Sequence, residues 1–278
     1  LNFNAWSVGN CMNNGGLCML STMIKKWRGE RPSIFILSGA GLSVESGIPT
    51  YRGEGSDPKN DSASLSRGYM RSLPERVYEA ANQRIRDFDA CEPNAAHKAI
   101  AQFIKKYRLQ ADIVHVTQNI DSLCEQAGDT AVFHLHGSLN RSLCQKCGTV
   151  FPRKGFYKMG NTCPKCNAQF SAVRPDVVLF GETPHGLDWI MPYLKEVDIF
   201  IAIGTSGTVY PAADFVTIAA SAGAPIRMLL NKEAPREMQF NCSMMDEGYG
   251  PFNYIRLGKA TGIVPMVLKE VGQLIENI

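Results

Sequence analysis

The sequence reads as an α/β protein: a Rossmann-like, mostly parallel sheet with helices on both faces, plus a small zinc-ribbon module. Three observations predict this. Short apolar runs alternate with helix-length segments, the first of those runs breaks into a glycine-rich turn, and four cysteines fall into two C-x-x-C pairs. In such sheets ligands bind beyond the carboxyl ends of the strands, so the residues just past each strand matter most.

Taken in order, residues 1–32 show no clear period and are expected to be a partly disordered extension or else an upstream-extended reading whose natural start is Met23. Ile34 to Ser38 form the first buried strand, which ends in Gly39-Ala40-Gly41. Residues 53–68 are dense in Gly, Ser, Asp and Pro, a loop of unusual length, and long loops in compact domains are often functional. Helices are expected over 71–90 and, after Pro93, to about Lys106; His97 reads as a packing or capping residue. Further strands are expected at 111–117, 132–137, 177–181, 198–204, 225–230 and 254–257. Gly262 to Ile278 is an amphipathic closing helix with Val264, Val267, Leu268, Val271 and Leu274 on its buried stripe.

Composition narrows the classes. The chain is 45% hydrophobic, enough for a sizeable core, and its net charge of +3 is too mild to announce a nucleic-acid partner. Nine cysteines cannot all pair, which favours a reducing compartment, and no apolar run is long enough to cross a bilayer. A cytoplasmic location and a monomer are the expectation, and a protein substrate stays open.

The glycines after the first strand would let backbone approach a pyrophosphate, with a helix after them offering free N–H groups to the anion. Val44 occupies the third glycine position of G-x-G-x-x-G, and no strand-ending acidic residue occurs about 20 residues on, so a hydride-transfer domain is disfavoured. His136 ends a strand just before Gly137 and is a candidate base, with His134 deeper on the same face. Gln118, Asn119 and Asp121 come after another strand and could orient ribose and an amide, or cap a helix. Gly204, Thr205 and Ser206 end a third strand, Asn231 and Glu233 a fourth. Cys144-x2-Cys147-x15-Cys163-x2-Cys166 has the spacing of one tetrahedral Zn²⁺ site whose closed shell makes the metal structural. Cys91, Cys124 and Cys242 read as free thiols.

These blocks resemble the sirtuins, NAD-dependent protein lysine deacylases. GAGLSVESGIPTYR at 39–52, TQNIDSL at 117–123, HLHGS at 134–138, the paired cysteines, RPDVVLFGE at 174–182, GTSGTVYPA at 204–212 and LLNKE at 229–233 occur in the family's order. The resemblance implies a catalytic domain over 33–278, with an inserted zinc module at about 138–173 and a helical lid at about 53–92. It implies NAD⁺ as co-substrate, contacted by Gly39, Ala40, Gly41, Ser43, Tyr51, Arg52, Gln118, Asn119, Asp121, Gly204, Thr205, Ser206, Asn231 and Glu233, with a structural zinc on the four cysteines. His136 and Asn119 would be catalytic, and Tyr78, Val178, Phe180, Gly181 and Val209 would meet an acylated lysine peptide. The implied reaction yields free lysine, nicotinamide and O-acyl-ADP-ribose, after His136 takes a proton from the ribose. Ala81, where a Tyr-x-x-Arg motif from Tyr78 would place arginine, implies a preference for uncharged acyl groups. The rival readings are NAD hydrolysis or ADP-ribosyl transfer in the same pocket, and a silent NAD-binding module.

Overall fold

The structure is a computed structural model that describes residues 20, 24, 27–50, 65–205, 210–233 and 251–277. Tyr51, Arg52, Ser206, Val209 and most of the expected lid lie outside the described residues.

The strands are β1 (Ser33–Ser38), β2 (Asp112–Thr117), β3 (Phe133–His134), β4 (Gly137–Cys144), β5 (Val150–Pro152), β6 (Val173–Val177), β7 (Ile199–Ile203), β8 (Ile226–Asn231) and β9 (Tyr254–Leu257). The helices are α1 (Arg67–Ser72), α2 (Pro74–Asp89), α3 (Ala95–Tyr107), α4 (Leu123–Gln126), α5 (Leu187–Leu194), α6 (Phe215–Ser221) and α7 (Ala260–Asn277). Six strands pair in the order β3-β2-β1-β7-β8-β9, all parallel. The chain winds outward from β1 in one direction, then restarts on its other side with β7. That reversal opens a crevice at the carboxyl ends of β1 and β7.

Period-two alternation sends neighbouring side chains into two different cores. Ile34, Ile36, Ile199, Ile201, Met228 and Leu230 pack beneath α3 and α7. Phe35, Leu37, Phe200, Ala202 and Leu229 pack on the other face, against α5 and α6. Burial on both faces explains why these strands read as continuous apolar runs.

A second sheet of three antiparallel strands, β5-β4-β6, carries the cysteine module. It corrects two expected strands. The run 132–137 is split, because Gly137 turns the chain out of the parallel sheet and into β4 with φ +76. A Cβ there would lie 2.0 Å from the Asp176 carbonyl oxygen, so only glycine permits the crossing. The run expected at 177–181 belongs instead to Val173–Val177, in the small sheet, and residues 178–181 leave it as an irregular segment.

The helix expected over 71–90 is two helices meeting at Leu73, whose successor Pro74 forbids a continuous turn. Most of 1–32 lies outside the described residues, and its described part packs against the domain. Leu20 and Ile24 are buried in the α3/α7 core, and the Arg28 N–H donates to buried Asp198, which also accepts from Ser33. Among the described residues no helix is long and apolar enough to cross a membrane.

Candidate active site and metal centre

The tips of β1 and β7 touch. Gly39 N–H donates to the Ile203 carbonyl and Gly41 N–H to the Gly204 carbonyl, at 2.9 and 2.8 Å. A Cβ on Gly41 would fall 2.6 Å from Gly204 Cα, and Gly204 itself sits at φ +59. The glycines therefore serve the approach of two strand ends before they serve any ligand. Beyond Gly39 the chain makes two single 3-10 turns, Ala40–Leu42 and Val44–Ser46, and no α-helix. The N–H groups of Gly39, Gly41, Leu42 and Ser43 are all taken by carbonyls, which corrects the expectation of a helix N-terminus open to an anion.

The end of β2 is locked to this turn. Gln118 N–H donates to the Ser38 carbonyl, and its side-chain amide donates to Thr205 Oγ1 at 3.0 Å. Asn119 donates to the Gly39 carbonyl and to Ser43 Oγ, at 3.1 and 3.2 Å. The Asn231 amide, ending β8, reaches the Thr205 carbonyl. Four strand tips thus converge around one crevice. Glu233 stands exposed just past the end of β8, beside Lys232 at 3.9 Å.

Beneath the crevice lies a saturated polar network. Asn94 caps α3 and donates its own N–H to His97 Nδ1, so the ring proton is on Nε2, which donates to Ser43 Oγ. That hydroxyl also accepts from Asn119 and donates to Asp121 Oδ2 at 3.1 Å, filling its capacity. Burial holds His97 neutral by lowering its pKa to about 4, with His115 adding to the effect. Burial raises the Asp121 pKa, against the opposing pull of the Leu123 N–H and the Ser43 hydroxyl. Asp121 thus accepts from the Leu123 N–H at the start of α4 and is also a member of the network.

His136 lies beyond the end of β3, half-buried, with Nδ1 donating to the Gln118 carbonyl at 3.0 Å. That bond assigns the proton to Nδ1 and leaves Nε2 with a lone pair. Burial lowers its pKa; the carbonyl bond opposes this and His185 reinforces it, so the ring is a neutral proton acceptor at pH 7. His134 differs. Its Nδ1 donates to the Asn119 carbonyl and its Nε2 meets Glu125 at 2.9 Å, so both nitrogens are committed. Burial would lower its pKa, but Glu125 and the carbonyl outweigh burial and the net shift is upward. It braces the 118–121 turn.

Ser38, His115 and Asp129 form a further chain, Oγ to Nε2 at 2.8 Å and Nδ1 to Oδ2 at 2.6 Å. The order is that of a hydrolytic triad, yet all three are buried and no substrate carbonyl can reach the hydroxyl. Sequence reasoning missed this chain and the Ser43–His97 contact. His97, just inside the start of α3, was the one available signal, because His115 lies within β2.

Val178 N–H donates to the His136 carbonyl, and Phe180 pairs through both backbone groups with Leu65 and Arg67, leaving its ring exposed. Gly181 comes next at φ +92. Tyr78 shares a buried cluster with Val177, Leu179 and Leu65. It is 3% exposed, stacks on Tyr157 and donates its hydroxyl to the Val173 carbonyl. It packs between α2 and the small sheet, with Ala81, the position where the motif would place arginine, buried in the same cluster.

The four cysteine sulfurs lie within 4.8 Å of one another. Cys144–Cys166 and Cys147–Cys163 are each 3.7 Å apart, far from a disulfide's roughly 2.05 Å. A tetrahedron with Zn–S of about 2.3 Å has edges of about 3.8 Å, so the donor set fits one zinc ion. The two knuckles are alike: each ends in a left-handed residue, Gly148 at φ +70 and Asn167 at φ +56, the residue types that tolerate it.

The model of the Sir2 family matches residues 39–211, which hold the crevice, His136 and the cysteines. The chain belongs to the Sir2 family. A Yersinia pseudotuberculosis protein named NAD-dependent protein deacylase is 38% identical over 247 residues, 87% of this chain and 83% of that one. A protein of the same name from Escherichia coli K12 is 41% identical over 232 residues, 81% of this chain and 80% of its own. Among solved structures, a mutant Sir2 homologue complexed with ADP-ribose has a TM-score of 0.76 at 28% identity, covering 94% of this chain and 98% of that one. A Sir2 homologue complexed with NAD has a TM-score of 0.73 at 29% identity, covering 93% and 94%. Gly39, Ala40, Gly41, Gln118, Asn119, Gly204, Thr205, Asn231 and His136 lie at the strand ends that meet at the crevice, and Ser43 and Asp121 lie in the buried network beneath it.

Proposed function

We propose that this chain is an NAD-dependent protein lysine deacylase in which His136 is the base and Asn119 a second catalytic residue. The observation that carries it is the His136 ring, pinned through Nδ1 to the Gln118 carbonyl with Nε2 free to accept a proton. Bound NAD⁺ would supply the electrophilic C1′ at which nicotinamide is exchanged for the acyl oxygen of lysine. The chain's own groups do the rest. The Gly39–Gly41 turn, Ser43, Gln118, Asp121, Thr205, Asn231 and Glu233 line or flank the place a dinucleotide would occupy, and Asn119 is held by Gly39 and Ser43 in a fixed orientation. His136 would take the ribose hydroxyl proton, a general-base step worth about 10²–10⁴ in rate. Because Phe180 is already paired with Leu65 and Arg67, an acyl-lysine peptide would run along the other side of Val178–Gly181. Residues 33–278 act as the catalytic unit, with the zinc module as its structural insert.

The test is turnover of acylated peptides with mass detection of O-acyl-ADP-ribose. The native protein is expected to form it, and His136→Ala to lose at least a hundredfold while keeping the fold. An unaffected variant would overturn the assignment of the base. Loss of NAD at equal speed without peptide would instead favour the hydrolase reading. A panel of acetyl, longer neutral and acidic acyl groups reads the acyl preference directly.

A further inference from the structure

The mild net charge of the whole chain conceals a local imbalance. Residues 138–173 contain Arg141, Lys146, Arg153, Lys154, Lys158 and Lys165 and no acidic residue at all, whereas acids outnumber bases in the rest of the chain. A tetrathiolate–Zn²⁺ centre would subtract two charges and leave the module cationic. Arg141 and Arg153 are engaged by Asp176 and Asp89, but among the described residues no ion pair involves Lys146, Lys154, Lys158 or Lys165, all exposed.

Aromatic rings stand among these lysines. Phe156 is 50% exposed, two residues after Lys154 in sequence and beneath the Arg86 guanidinium at 5.4 Å. Phe170 is 75% exposed, and its carbonyl accepts from Gly160 N–H, which brings it beside Met159, also exposed, and the Lys158 loop. Phe170 adopts φ +58, a left-handed conformation unusual for a bulky residue, and so holds an apolar ring in water on a strained backbone. Nothing in the fold of the module uses that ring.

We propose that the exposed surface of the zinc module around Phe170 and the Lys158 loop binds single-stranded nucleic acid without sequence preference. Lysines neutralise the phosphate chain while exposed rings stack on bases, and every base offers a face for stacking. An acidic peptide would satisfy the lysines but give the rings nothing to pair with. The surface is separate from the strand-tip crevice and its use does not rest on the deacylase reading.

The experiment is fluorescence anisotropy of labelled oligo-dT and oligo-U titrated with the zinc-loaded full chain. Micromolar binding is expected, weakening about fiftyfold between about 50 and 200 mM salt if about four phosphates are neutralised. Phe170→Ala is expected to weaken it at least fivefold and the pair Lys154→Glu, Lys158→Glu at least tenfold, with zinc content and acetyl-peptide turnover unchanged. No binding at about 50 mM salt, or equal binding by both variants, would overturn the proposal. So would tighter binding of polyglutamate or of phosphatidylserine vesicles that displaces the oligonucleotide. Should Phe170→Ala lose zinc, the lysine pair, remote from the thiolates in sequence, decides.

Discussion

The parallel sheet and the cysteine module are stabilised by different means. The sheet buries two apolar layers, with Phe35, Phe200 and Phe215 wholly inside one of them, the first two stacked at 5.7 Å. The module's own cluster holds little beyond Cys144, Cys163 and Val173. A segment that small cannot bury enough surface to offset its chain entropy, so cross-linking by a metal takes the place of a core. The crevice thus rests on burial, whereas the module should be conditional on zinc.

The largest test of that contrast is metal removal. Structural zinc sites bind with about 10–16 kcal/mol, so chelation or Cys144→Ser should abolish hydrogen-exchange protection through residues 138–173 while β1 and β7 stay protected. Simultaneous loss in both would break the comparison. Next in size, Phe200→Ala should cost about 3–5 kcal/mol in urea denaturation and act on the whole protein, leaving the zinc stoichiometry of the folded fraction intact.

A smaller effect comes from His97. Its folded pKa of about 4 lies below the ordinary 6.5, so between these values the unfolded chain takes up a proton that the native protein refuses. Stability should therefore fall as pH drops through that window, by up to about 3 kcal/mol, and be flat in this respect above it. Comparing urea midpoints near pH 7 and pH 4.5 for the native protein and His97→Asn checks this; an identical slope in both would remove His97 from the account. Smallest, Tyr78→Phe removes one bond across the joint between α2 and the small sheet and should cost about 1 kcal/mol, with unchanged KM for an acetyl peptide. A raised KM would restore Tyr78 to the peptide groove.

Legibility in the chain alone tracks how local each signal is. The buried strands were legible because an apolar run needs no partner to be recognised, and the zinc site because two C-x-x-C pairs carry their geometry in their spacing. His136, Asn119 and the glycine turn were legible from their positions after strands and from several motifs in family order. Only the tertiary structure decided how 132–137 divides between two sheets at Gly137, since that depends on an Asp176 carbonyl 39 residues away. It alone showed that Gly39 and Gly41 are fitted to Gly204, that Tyr78 is spent on Val173, and that Ser43 is closed by His97, Asn119 and Asp121. Each of these is a contact between residues distant in sequence, where neither partner's type or period records the other.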